Sequence, residues 1–92
     1  MIEINVPRST WTEIANGVTS YSFVLKNEYV FDRSPRVYYL QYGDIIPLTI
    51  SKALIVEMDG RRGEFSTSVT FGNSSPSNLY IYCQDHNGKV VI

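Results

Sequence analysis

The sequence predicts an all-β fold, and three observations predict it. Short apolar segments alternate with polar ones along the whole chain of 92 residues. Turn signals separate them at intervals of about eight to twelve residues, the spacing of a small sandwich or barrel. No stretch keeps a helical period through three turns, so no helix is expected. Residues 1–92 are therefore predicted to form a single antiparallel β-sandwich domain of eight or nine short strands, with a small barrel as the variant.

Ile2, Ile4 and Val6 alternate with Glu3 and Asn5, the pattern of a half-buried strand that Pro7 ends or confines to an edge. Trp11 to Ala15 follows, and Asn16-Gly17 reads as a turn. From Thr19 to Lys26 the pattern is a clear strand, with Tyr21, Phe23 and Leu25 on one face. Asn27-Glu28 reads as a turn into Tyr29-Val30-Phe31, and Asp32 to Pro35 as a loop. Arg36 to Tyr42 is rich in β-formers. Ile45 to Ile50 is apolar, but Pro47 makes it a bent or edge segment. Lys52 to Met58 is the next strand, and Asp59 to Gly63 a turn.

Phe65, Thr67, Val69 and Phe71 alternate with Ser66, Ser68 and Thr70, as in a strand with one face in water. Gly72 to Ser77 reads as a polar loop into a terminal hairpin. In that hairpin Leu79, Ile81 and Cys83 point one way, Tyr80 and Tyr82 the other. Asn87-Gly88 supplies the tight turn, and Lys89 to Ile92 the last strand. An apolar end of this kind needs pairing and cover. The predicted core is Phe23, Leu25, Tyr39, Ile55, Val69, Phe71, Leu79, Ile81 and Val90.

The totals narrow the function. Hydrophobic residues make up 43% of the chain and aromatic ones 13%, enough to exclude disorder. Eight basic and nine acidic residues leave a net charge of −1, without the basic excess a nucleic-acid binder carries. No apolar run approaches the roughly 20 residues of a membrane span. Glu3, Asn5 and Arg8 interrupt any secretory signal, so the expected site of synthesis and assembly is the cytoplasm. One cysteine excludes an intrachain disulfide framework and a multi-cysteine metal site. Cys83 is expected to be a small buried hydrophobe.

Chemistry is sparse. His86 is the only histidine, and with Asp85 it is expected in a solvated turn, without the oriented partners of a catalytic triad. No catalytic, cofactor-binding or metal-ligating residue is assigned, and no cofactor is expected. Asp32, Asp44, Glu57, Asp59, Glu64 and Asp85 are scattered over turns and strand ends. The aromatic residues carry more information. Tyr80 and Tyr82 share one face, Tyr38 and Tyr42 share one with Leu40, and tyrosine suits interfaces. These four, with the turn arginines Arg61 and Arg62, are the candidate interface residues.

The run Trp11-Thr12-Glu13-Ile14-Ala15-Asn16-Gly17 is followed by a strand ending Lys26-Asn27 and by Pro35-x-Val37-Tyr38-Tyr39. Leu79-Tyr80-Ile81-Tyr82-Cys83 then closes on Gly88-Lys89-Val90-Val91-Ile92. Taken together these segments resemble small virion proteins of tailed bacteriophages. The resemblance implies a non-enzymatic β-sandwich module of the particle, decorating the capsid or associated with a head or tail fibre. It also implies that the partners are other virion proteins and further copies of the chain, assembled in a host cytoplasm. Two other expectations stand beside it. One is a carbohydrate-binding module using exposed tyrosines and Trp11; the other is a small inhibitor or adaptor presenting the loop at Asp59–Gly63.

Overall fold

The computed structural model describes residues 2–27, 36–58, 65–84 and 86–92. They form β1 (Glu3–Val6), β2 (Thr12–Asn27), β3 (Arg36–Gly43), β4 (Leu54–Met58), β5 (Phe65–Tyr82) and β6 (Gly88–Val91). The fold is all-β, with no helix among the described residues. Its strands belong to one antiparallel sheet in the order β1-β6-β2-β5-β3-β4, curled into a half-barrel. The predicted eight or nine short strands of a sandwich are thus replaced, in the described residues, by six strands of one sheet.

The difference has a local cause. Asn16-Gly17 and Gly72–Ser77 read as breaks, yet both lie inside the two longest strands, β2 and β5. The ladder between these strands shifts register between Glu13 and Ala15, Ala15 and Val18, and Val18 and Ser20. Gly17 takes a φ of +66°, which a residue without Cβ adopts at little cost. Its N–H donates to Asn78 Oδ1 at 3.1 Å, so the bulge stays stitched to the neighbouring strand. Bulges sharpen bend and twist, and a bent sheet can wrap its own core.

The terminal hairpin is also replaced. β5 and β6 both pair antiparallel with β2, on opposite edges of it, and so run in the same direction. Asn87-Gly88 is not a hairpin turn; Asn87 Oδ1 instead accepts the Arg8 N–H at 2.9 Å. β6 is flanked by β1 and β2. Reciprocal bonds of 3.1 and 2.9 Å between Ile2 and Ile92 carry the β1 pairing to the C-terminal residue. The last strand is therefore inside the sheet, as its apolar sequence requires, and among the described residues the sheet's edges are β1 and β4.

The core fills the hollow of the curl. Val6, Ile14, Phe23, Leu25, Tyr38, Leu40, Leu79, Ile81, Cys83 and Val90 form it, with Val69 and Phe71 packed against it. Tyr39 and Ile55, expected in the core, lie opposite each other on the outer face, and Ile55 is 60% exposed. The inward residues of β3 are Tyr38 and Leu40, one position out of step with that expectation. Ile45, Ile46 and Leu48 belong to no strand and are exposed.

A seam beside Tyr38 closes the curl. The Tyr38 hydroxyl donates to the Lys26 carbonyl of β2 at 3.1 Å. His86 is buried, not solvated as expected. Its Nδ1 lies 2.9 Å from the Asn87 carbonyl, and its Nε2 lies 3.1 Å from both the N–H and the carbonyl of Val37. In the tautomer with the proton on Nδ1, Nε2 accepts the Val37 N–H. The ring also meets Tyr38 edge-on at 5.3 Å. At Gly88 a Cβ would stand 2.6 Å from a Tyr38 ring carbon and 2.7 Å from Cys83 Sγ. Both neighbours are fully buried, so the strand approaches this closely only as glycine.

Candidate binding surface

Strand pairing alone places an aromatic row on the outer face. Residues directly opposite in an antiparallel ladder point to the same side. Tyr39 of β3 is opposite Ile55 of β4 and Tyr82 of β5. Trp11, just before β2, extends the row. Its ring centroid lies 5.1 Å from that of Tyr82 with the planes tilted by 37°. Tyr39 meets Tyr82 edge-on at 6.2 Å. Trp11, Tyr82 and Tyr39 are partly exposed, and Ile55 is the most open member.

A second row runs beside it. Tyr80 is opposite both Gln41 and Glu13. Tyr80 is 5% exposed, and Gln41 Oε1 is buried with no hydrogen-bond partner among the described residues. An acceptor left in that state costs about 1–3 kcal/mol. Further exposed aliphatic residues are Ile45, Ile46 and Leu48, on the connection from β3 to β4, and Leu54, which opens β4 opposite the inward-facing Leu40.

The candidate residues are therefore sorted by burial. Tyr82 is on the outer surface and partly open, as expected. Tyr80 is on the same side with almost no area to offer. Tyr38 is 1% exposed and belongs to the core, so it presents no surface to a partner. Tyr42 also faces inward. It stacks on Phe71 at 4.9 Å and its hydroxyl donates to the Phe71 carbonyl. Burial raises its pKa above the ordinary 10.0. Arg61 and Arg62, with the Asp59–Gly63 loop, lie outside the described residues. Cys83 is a free, fully buried thiol, as expected. Among the described residues no three His, Cys, Asp or Glu side chains gather where they could hold a metal ion.

Comparison of the chain with protein-family models, curated proteins and solved structures returned no match. The surface itself is the guide to function.

Tyr39 and Ile55 are the members of this surface that the sequence assigned elsewhere. A signal was present for Ile55, which shares a face with the polar Glu57 on β4. On β3, Arg36 and Gln41 fall on opposite sides, so alternation leaves Tyr39 undecided.

Proposed function

We propose that this domain is a non-enzymatic binding module that works through protein–protein contacts on the outer face of its sheet. Following the resemblance to small tailed-phage virion proteins, its setting is the particle, as a capsid-decorating or fibre-associated component. The observation that carries the binding reading is the row Trp11–Tyr82–Tyr39–Ile55, which ends in the exposed Ile55 of β4. Aromatic residues are enriched at interface cores, where they contribute much of the binding energy.

The test is incorporation of Tyr39→Ser with Tyr82→Ser into particles, beside the unsubstituted protein. Loss of incorporation by a folded variant is expected. A folded variant that joins particles normally would show that these residues only pack against one another.

A carbohydrate-binding reading is favoured by one observation, the partly exposed Trp11 ring beside Tyr82. A sugar stacked there would perturb the indole emission. The edge-on setting of Tyr39 works against it, because it breaks any continuous flat platform. Titration of oligosaccharides while following Trp11 fluorescence decides the matter: an unchanged spectrum removes this reading.

A further inference from the structure

We infer that Asn16–Gly17 is a site of spontaneous covalent modification, closing to a succinimide and opening to aspartate or isoaspartate. The inference goes beyond the binding reading and does not rest on it. The sequence holds two Asn-Gly pairs, Asn16–Gly17 and Asn87–Gly88. In both, the residue after asparagine has no Cβ, so its nitrogen reaches the asparagine side chain without hindrance. The fold separates them.

Asn16 and Gly17 fall in the bulge of β2. Ala15 is opposite Leu79 and Val18 opposite Ser77, so the two residues face Asn78 alone. Both are exposed, and nothing stands within 4 Å of where a Gly17 Cβ would be. The Gly17 N–H donates to a side chain, Asn78 Oδ1, at 3.1 Å. Asn16 Nδ2 donates to Glu13 Oε1 at 3.3 Å. Both contacts lie at the surface, where backbone opens locally without unfolding of the sheet.

Asn87–Gly88 is the opposite case. Asn87 Oδ1 accepts the Arg8 N–H at 2.9 Å, and the Asn87 backbone carbonyl lies 2.9 Å from His86 Nδ1. Gly88 pairs with Val6 and passes against the fully buried Tyr38 and Cys83. Turning the Gly88 nitrogen onto the Asn87 side chain would unseat β6 and the seam together.

The reaction needs only water and base. Hydroxide takes the Gly17 amide proton, which first has to leave Asn78 Oδ1, and the nitrogen attacks Asn16 Cγ. The Cγ–Nδ2 bond breaks, and ammonia leaves with a proton from water. Water then adds to either succinimide carbonyl and breaks its bond to the Gly17 nitrogen. Opening at Cγ gives aspartate. Opening at the Asn16 backbone carbonyl gives isoaspartate, with the main chain rerouted through Cβ and Cγ. Either product sets a new carboxylate beside Glu13, which is opposite Tyr80 on the outer surface.

The experiment incubates the full chain at mildly alkaline pH and follows both Asn-Gly pairs by peptide mass mapping. A sample unfolded in urea sets the intrinsic rate of each pair, and folded rates are taken relative to it. In the folded chain Asn16 is expected to convert faster than Asn87 by about tenfold, a barrier difference of about 1.4 kcal/mol. Asn78→Ala should speed conversion at Asn16 severalfold and leave Asn87 unchanged. Asn78→Asp keeps an acceptor for the Gly17 N–H and should not speed it. Circular dichroism confirms that each variant folds, and the comparison of the two pairs in the unsubstituted chain stands without them. Equal relative rates, a faster Asn87, or a folded chain inert at Asn16 overturns the inference. A folded Asn78→Ala chain with an unchanged rate at Asn16 overturns it as well.

Discussion

The outer surface of the sheet divides into two flanks that share one strand and differ in nearly everything else. Where the first half of β5 pairs with the second half of β2, the outward residues are Ser20, Ser22, Val24, Lys26, Ser66, Ser68 and Thr70, and the hydroxyl residues among them are exposed. Ser22 and Thr70 hydroxyls meet there at 2.9 Å. Where the second half of β5 lies between β2 and β3, the outward residues are Tyr80 and Tyr82, with Tyr39, Gln41 and Trp11 beside them. Both flanks cover the same core, so packing beneath does not account for the contrast. A strand's inward side is constrained by what it buries, while its outward side records what it meets. One flank is mostly hydroxyl-bearing and the other aromatic, and the proposed binding role rests on the second.

That comparison can be tested from the largest effect to the smallest. Both flanks depend on the seam, so breaking it should weaken them together. His86→Ala leaves the Val37 N–H without its acceptor and opens a cavity beside Tyr38. A loss of about 2–4 kcal/mol is expected, read from urea unfolding followed by both Trp11 fluorescence and circular dichroism. Coincident curves are expected; separated curves would mean that the flanks unfold independently.

Tyr82→Ala acts on the aromatic flank alone. It removes the ring contacts to Trp11 and Tyr39. A loss of about 1–2 kcal/mol is expected from two such pairs, smaller than a fully buried aromatic would give. A shift in the denaturation midpoint with an unchanged slope would check it.

Tyr42 links the flanks from below, stacking from β3 onto Phe71 of β5. Burial raises its pKa in the folded protein, so the unfolded chain ionises first. The stability this provides is full below the unfolded value of about 10, and is lost as pH rises through the higher folded value. Tyr42→Phe cannot ionise. The stability difference between the native chain and this variant should stay constant below that range and fall above it, as measured by denaturation across alkaline pH.

The smallest effect belongs to the hydroxyl flank. Ser22→Ala breaks only an exposed hydroxyl contact, and a change within about 0.5 kcal/mol is expected. A cost equal to that of Tyr82→Ala would mean the flanks are not energetically distinct.

The sequence by itself determined the fold class, the strands with clean alternation and the side that each buries. Phe23, Leu25, Leu79, Ile81, Cys83 and Val90 are where their period-two pattern put them, because that period follows from backbone geometry alone. It also separated Tyr82 from the core. Tertiary structure decided the rest. Asn16-Gly17 and Gly72–Ser77 have turn chemistry, yet a bulge accepts the same residues, and only the neighbouring strand determines which forms. β3 has apolar residues on both sides, so alternation left two choices. The curl resolved them by drawing Tyr38 to Lys26 and His86 and leaving Tyr39 outside. The buried histidine and the β2 strand between β5 and β6 likewise arise from contacts between residues far apart in the chain. Local patterning carries no record of which distant backbone will fill the space beside a residue, and that space decided which of these side chains became surface.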